Sequence, residues 1–292
     1  MKRIVCAAVL IGSLLPVAFG QQTNTKRGWQ VVLNRASLDL SSTDVKNAQA
    51  YENFPESKLN SDSQRVVKGH LDINADYFAR HFVWGNELLL DYGKTTLKSY
   101  DGEQTTNESA DTVMFTSSYT QRLWKNETFL GGFEAGPYGS LAYQTEFNSS
   151  DNTPLKKVLR AAAGVKIYEG KYINKFHVAG FAEDDFTYNP SSVKYGWETH
   201  LEIQQPLREG VKAVYSAMFR DYLYETRKEP TDLDYVFSAQ ARLDVNVWGE
   251  LAVSPFIEYY TAQARAFGKR GQNFYIGVSL SFSHTFMEAQ KI

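Results

Sequence analysis

Apolar and polar residues alternate along most of this chain, in runs that suit long β-strands. The clearest run is 272–286. Phe274, Ile276, Val278, Leu280, Phe282 and Phe286 fall on one face. Tyr275, Gly277, Ser279, Ser281, Ser283 and Thr285 fall on the other, and His284 alone interrupts the apolar row. A period of two places successive side chains on opposite faces of a strand. In 233–248 the row Tyr235, Phe237, Ala239, Ala241, Leu243, Val245, Val247 is set against Asp234, Val236, Ser238, Gln240, Arg242, Asp244, Asn246. The same pattern predicts twelve strands, at 29–40, 65–78, 82–97, 111–124, 128–147, 157–168, 172–188, 193–205, 211–223, 233–248, 250–264 and 272–286. The first alternates poorly. The fifth carries Pro137, which reads as a bulge or bend because proline brings no donor to a ladder.

Most of these segments exceed the roughly 5 to 6 residues usual for strands of soluble sheets. The connections alternate in length: 41–64, 98–110, 148–156 and 224–232 are long or polar, whereas 79–81, 125–127 and 169–171 are short. Aromatics gather beside the short turns (Tyr77, Phe82, Trp84, Trp124, Phe129, Tyr172, Trp248, Phe286) and again toward the loops (Tyr92, Phe147, Tyr188, Tyr195, Tyr235, Tyr259, Phe274). Two aromatic belts suit two membrane–water interfaces. The fold class expected is all-β: a closed antiparallel transmembrane β-barrel of about twelve strands, with short periplasmic turns and longer extracellular loops. An even strand number leaves both termini on the short-turn side. A soluble β-sandwich also alternates, but its strands are shorter and its edges need blunting.

Residues 1–20 differ in kind. Lys2 and Arg3 precede an apolar stretch from Ile4 to Val17, and Ala18-Phe19-Gly20 offers small residues at a cleavage site. This is the pattern of a secretory signal peptide, and the apolar stretch is too short for a membrane-spanning helix. The expected organisation is a leader at 1–20, a barrel at 21–286 and a short tail at 287–292. The only cysteine, Cys6, falls in the leader. A mean hydropathy of −0.40 argues against a helical membrane protein. A formal charge of −2, spread along the chain, argues against a nucleic-acid partner.

The leader and the aromatic-ended run 274–286 resemble those of the single-chain outer-membrane proteins of Gram-negative bacteria. The likeness covers nearly all of the chain after the leader, and the chain departs from it by adding 287–292. What the resemblance implies is outer-membrane localisation, contact with outer-membrane lipid, and delivery by the barrel assembly machinery that reads the last strand. It is a resemblance of architecture and implies no activity.

No catalytic constellation stands out. Ser118-Tyr119-Thr120-Gln121 followed by Trp124 echoes a strand of outer-membrane phospholipases, but no histidine carries the nearby Asn and Ser that such enzymes need. Glu183-Asp184-Asp185 near the loop side reads as a solvated acidic strand end before it reads as a protease site. Asp72, Asn74 and Asp76 share a face, but calcium takes about six to eight oxygens; no metal or other cofactor is expected. Asn148-Ser149-Ser150 is a loop sequence that could accept a glycan. The polar faces carry the remaining signal. Facing the lumen are His70, Asp72, Arg122, Glu134, Glu198, His200, Glu202, Arg220, Arg242, Asp244 and Glu258, among others of both signs. A twelve-stranded barrel lies between the packed eight-stranded and the channel-forming sixteen-stranded kinds. The function expected is a narrow channel or transporter for small polar solutes. The alternatives are a closed structural or adhesive barrel whose loops bind a partner, and a barrel enzyme of phospholipase or protease type.

Overall fold

The structure is a computed structural model that describes residues 26–51, 58–59, 64–98, 104–149, 154–227, 232–265 and 268–291. The leader at 1–20 and the Asp-Gly pair at 101–102 lie outside the described residues. The strands in chain order are β1 (Lys26–Lys46), β2 (Gln64–Phe78), β3 (Phe82–Lys98), β4 (Gln104–Gln121), β5 (Trp124–Asn126), β6 (Phe133–Thr145) and β7 (Val158–Gly170). They continue as β8 (Ile173–Asp185), β9 (Ser192–Arg208), β10 (Val211–Glu225), β11 (Leu233–Trp248), β12 (Leu251–Ala264), β13 (Gly271–Met287) and β14 (Gln290–Lys291). Twelve of them form the wall; β5 and β14 are accessory pieces. Consecutive wall strands pair antiparallel, and β1 pairs with both β2 and β13, so the sheet closes with no free edge.

Residues paired across a ladder share a face, which fixes the two sides of the wall. Lys212 opposite Asp244 and Gln240 opposite Glu258 point inward, while Ala213 opposite Leu243 and Ile257 opposite Ile276 point outward. The outer face exposes Leu38, Leu40, Val67, Phe115, Leu141, Leu243, Ile257, Ile276, Val278 and Leu280. So continuous an apolar band is costly in water and suited to hydrocarbon. Aromatic rings rim it. Near the turns Trp29 lies 5.3 Å from Tyr77 and 6.0 Å from Trp84 between ring centroids. Toward the loops Tyr92 meets Phe147 and Tyr195 meets Tyr224. Outward indoles satisfy their N–H on the same face: Trp84 donates to Ser117 Oγ and Trp197 to Asp221 Oδ2. His284, the break in the last apolar row, lies at the turn rim and bonds Glu250 at 2.6 Å.

The expected strands are present, with four differences. First, β1 shifts register on both sides at 33–36. Asn34 and Arg35 both turn inward across this bulge: Asn34 donates to Asp72, and Arg35 stands opposite it. The outer row is therefore Trp29, Val31, Leu33, then Ala36, Leu38, Leu40, and the alternation that looked poor is intact once one residue is skipped. Second, β4 begins at Gln104 and pairs with β3 as far as Lys98. Residues 104–110, expected in the loop 98–110, therefore extend the hairpin of β3 and β4. Their polar sequence carries no alternation because it stands above the apolar band. Third, the connection expected at 125–127 is longer. β4 ends at Gln121, and β6 pairs with it up to Tyr138 and then with β5 from Ala135. Pro137 falls in the gap, where no ladder N–H is called for, and a Cβ on Gly136 would overlap the Gln121 carbonyl. Fourth, the tail is structured: Gln290 and Lys291 form β14 against Arg27 and Lys26.

Candidate functional site: a charged lumen with two covered mouths

The register places ten of the eleven polar residues singled out in the sequence on the inner face, Arg122 follows directly on β4, and most of the eleven form pairs. His70 Nδ1 lies 2.6 Å from Asp91 Oδ1, with Lys68 3.7 Å from the same oxygen. Arg220, opposite Glu198 in the ladder, bonds it at 2.7 Å, and His177 Nε2 stands 3.6 Å from the other carboxylate oxygen. His200 faces His177, ring centroids 6.0 Å apart. Glu202 accepts from Gln204 at 3.1 Å. Arg122 bonds Glu134 at 2.8 Å, and Tyr168 donates to the same oxygen.

Arg242 does not join Glu198 and Arg220, although all three lie on the inner rows of consecutive strands. It stands opposite Val214, six residues from Arg220 along β10, and turns to Asp244 at 2.6 Å. Adjacent strands bring charges together only at matching register.

One lumen ion pair and one cross-lumen partnership were not legible in the sequence. Arg35 bonds Asp39 at 2.6 Å, a pair hidden by the bulge. Lys175 on β8 reaches Glu87 on β3 at 2.5 Å, although β4, β6 and β7 separate those strands in the wall. This bridge spans part of the lumen. Around it the walls differ in sign: β2 and β3 bear Asp72, Asp76, Glu87 and Asp91, and β7 and β8 bear Arg160, Lys166 and Lys175. Phe181 lies between Arg160 and Arg220, 5.9 and 5.4 Å from its ring centroid, while each arginine keeps its own glutamate.

Both mouths are partly covered. At the loop rim Asn47 takes φ +64°, a conformation asparagine tolerates, and donates to the Arg270 carbonyl. The chain there turns inward. Tyr51 and Leu59 are fully buried against Val66, Val236, Tyr260, Ala262 and Tyr275. Lys58 beside them bonds Glu258 at 2.9 Å, and its carbonyl accepts from Asn273. At the turn rim Gly28 takes φ +92° and bends the start of β1 across the opening. The two-stranded ribbon of β14 and Lys26–Arg27 is held there by Lys26 on Glu169 at 3.0 Å and by Arg122 on the Lys26 carbonyl. Ala289 adds a contact with Phe78 and Val83.

Among the described residues no histidine ring is hydrogen-bonded to a hydroxyl, and no three metal-ligating side chains converge. The acidic run at 183–185 is divided: Glu183 is bridged to Arg160, and Asp185 accepts from the Thr187 N–H. Asn148 is exposed at the loop rim, its own N–H held by Asp111.

A closed twelve-stranded sheet with an apolar exterior and an ionic interior defines a transmembrane β-barrel of the outer-membrane type. The sequence matches no protein-family model and no curated protein. Among solved structures, the chain is similar to an outer membrane channel from Pseudomonas putida F1, with 11% identity over 92% of this chain and 100% of that one and a TM-score of 0.46. It is similar to the outer membrane phospholipase A from Escherichia coli, with 12% identity over 92% and 96% and a TM-score of 0.42. It is also similar to the translocator domain of the autotransporter NalP from Neisseria meningitidis, with 10% identity over 94% and 92% and a TM-score of 0.35. Those proteins differ in function, and likenesses this distant assign none to the chain.

Proposed function

We propose that this protein is an outer-membrane channel, with its longer loops outside and its turns in the periplasm, that passes small polar solutes through a narrow, charge-lined lumen. The observation that carries the reading is the state of the bridged charges on the inner face. Glu87 and Lys175 are in contact, yet 22% and 24% of their side-chain surfaces stay accessible. Space for water beside a paired charge is what a hydrated passage needs, and a dry, self-satisfied core would remove it. The acidic wall of β2 and β3 and the basic wall of β7 and β8 would orient a dipolar solute across the lumen. Two opposite charges about 4 Å apart attract by roughly 4 kcal/mol at an effective dielectric near 20. Such an attraction holds a solute briefly and lets it leave.

The test is single-channel recording of the refolded protein in planar bilayers. Discrete ion steps support the channel. A protein that retains the heat-dependent gel shift of a folded barrel and yet stays silent overturns it in favour of a closed structural or adhesive barrel. Orientation is tested separately: a tag inserted at Gly102 should be labelled on intact cells, and one at Lys171, in the short turn after β7, should not.

A further inference from the structure

Among the described residues, the side-chain contacts that hold the ribbon at the turn rim lie on one half of the mouth. Its contacts are with Phe78, Val83, Arg122, Tyr168 and Glu169, on or beside β2, β3, β4 and β7. On the other half, lined by β1 and β9 to β13, a cavity of about 270 Å³ opens between the wall strands and reaches the rim at Gly210 and Glu250. Its lining is unbalanced in charge. Arg35, Arg208, Lys212 and Arg242 face it, against Asp244 and Glu250. Asp244 is already taken by Arg242 through two hydrogen bonds, and Lys212 reaches it only at 3.7 Å. Glu250 is turned to His284. Arg35 is bound through one terminal nitrogen to Asp39 and Ser279, and its Nε is buried with no partner. Arg208 has no ion-pair partner among the described residues. Arg208 thus lacks a carboxylate and Lys212 only shares one at 3.7 Å, and guanidinium groups present forked donors that match oxyanions.

We infer that this recess is a binding site for an oxyanion, the carboxylate or phosphate group of a small solute. Arg208 supplies its free charge, Lys212 adds a charge held only loosely by Asp244, and Arg35 and Arg242 form the wall behind them. Because Arg208 and Lys212 lie on the two strands joined by the turn at 209–210, both sit at the rim, where a solute would meet them on entering or leaving. The site does not depend on conduction. A barrel that is silent in bilayers and still binds retains the site and loses the channel.

The experiment uses the refolded protein in neutral detergent, with inorganic phosphate as probe, and follows the phosphorus NMR line width as protein is added. The wild type should broaden the line saturably, and acetate should compete. The double variant Arg208→Ala, Lys212→Ala should weaken binding by about tenfold or more, since two charge-assisted contacts are lost. The double variant Arg80→Ala, Lys171→Ala removes two turn-side cations away from the recess and should leave binding unchanged. All three proteins must show the gel shift of a folded barrel. Absence of saturable broadening in the wild type overturns the proposal, as does equal binding by the Arg208, Lys212 variant or equal loss in the control.

Discussion

The two mouths of this barrel are covered by different means. At the loop rim the cover is apolar and threaded into the wall. Tyr51 and Leu59 are fully buried, and the Tyr51 hydroxyl bonds the Lys269 carbonyl at 2.8 Å and accepts from the Ala264 N–H. A Cβ on Gly271 would lie 2.7 Å from Leu59 Cδ1 and 3.1 Å from Tyr51 Cε2, so glycine leaves room for this close approach. At the turn rim the cover is a two-residue ribbon with one small buried side chain, Ala289, and a lysine bridge whose partners keep 23% and 30% of their surfaces exposed. Burying large side chains contributes several times what a partly exposed ion pair does. The loop-side cover is therefore firmly fixed, and the turn-side cover is held more weakly.

The largest effect should come from the loop rim. Tyr51→Ala should cost about 3 to 5 kcal/mol of local stability, the range for truncating a buried aromatic. The barrel should persist on gels, while the chain at 47–51 becomes open to protease and unit conductance rises. Cleavage and conductance unchanged from wild type would mean that the segment is not held by its buried side chains. Next comes Lys58→Met, which keeps the stem but leaves Glu258 with only its bond from Gln240. Losing a charged hydrogen bond costs roughly 1 to 3 kcal/mol. Cation selectivity should increase as Glu258 becomes uncompensated, read as a shift in reversal potential under a salt gradient. Removing 288–292 should cost only about 1 kcal/mol, the worth of a buried methyl-sized contact. Its signature should be fewer and shorter closures at the same unit conductance. The smallest effect belongs to Lys26→Ala, below about 1 kcal/mol for so exposed a bridge. It should alter closure frequency in the same direction as the truncation. If it shifts the melting temperature more than Tyr51→Ala does, the contrast between the mouths is reversed.

The wall was legible in the sequence because one-sided burial forces a period of two, and twelve repetitions of it leave little freedom of register. Legibility failed where the chain leaves the apolar band. Gln104 to Ser109 are strand in the structure but need no apolar face. Lys58 and Tyr51 read as loop, because nothing local tells a segment that folds into a lumen from one that stands in water. Arg35 was lost to a single bulged residue, which exchanges inner and outer rows for everything before it. The lumen charges were readable as a set, since each lies in a polar row. Their partners were readable only in part: Arg220 with Glu198 follows from neighbouring strands, Arg242 with Asp244 lies two residues apart on one face of β11, whereas Lys175 with Glu87 depends on curvature that no single segment carries.

The most direct measurement is the unit conductance of wild type and Tyr51→Ala, recorded side by side in the same planar bilayers after both pass the heat-shift test for a folded barrel. The result expected is small discrete steps from the wild type and larger ones from the variant. A folded wild type that never conducts, or a variant whose steps match those of the wild type, would contradict the account of a hydrated lumen set at its narrowest by the inward-folded loop.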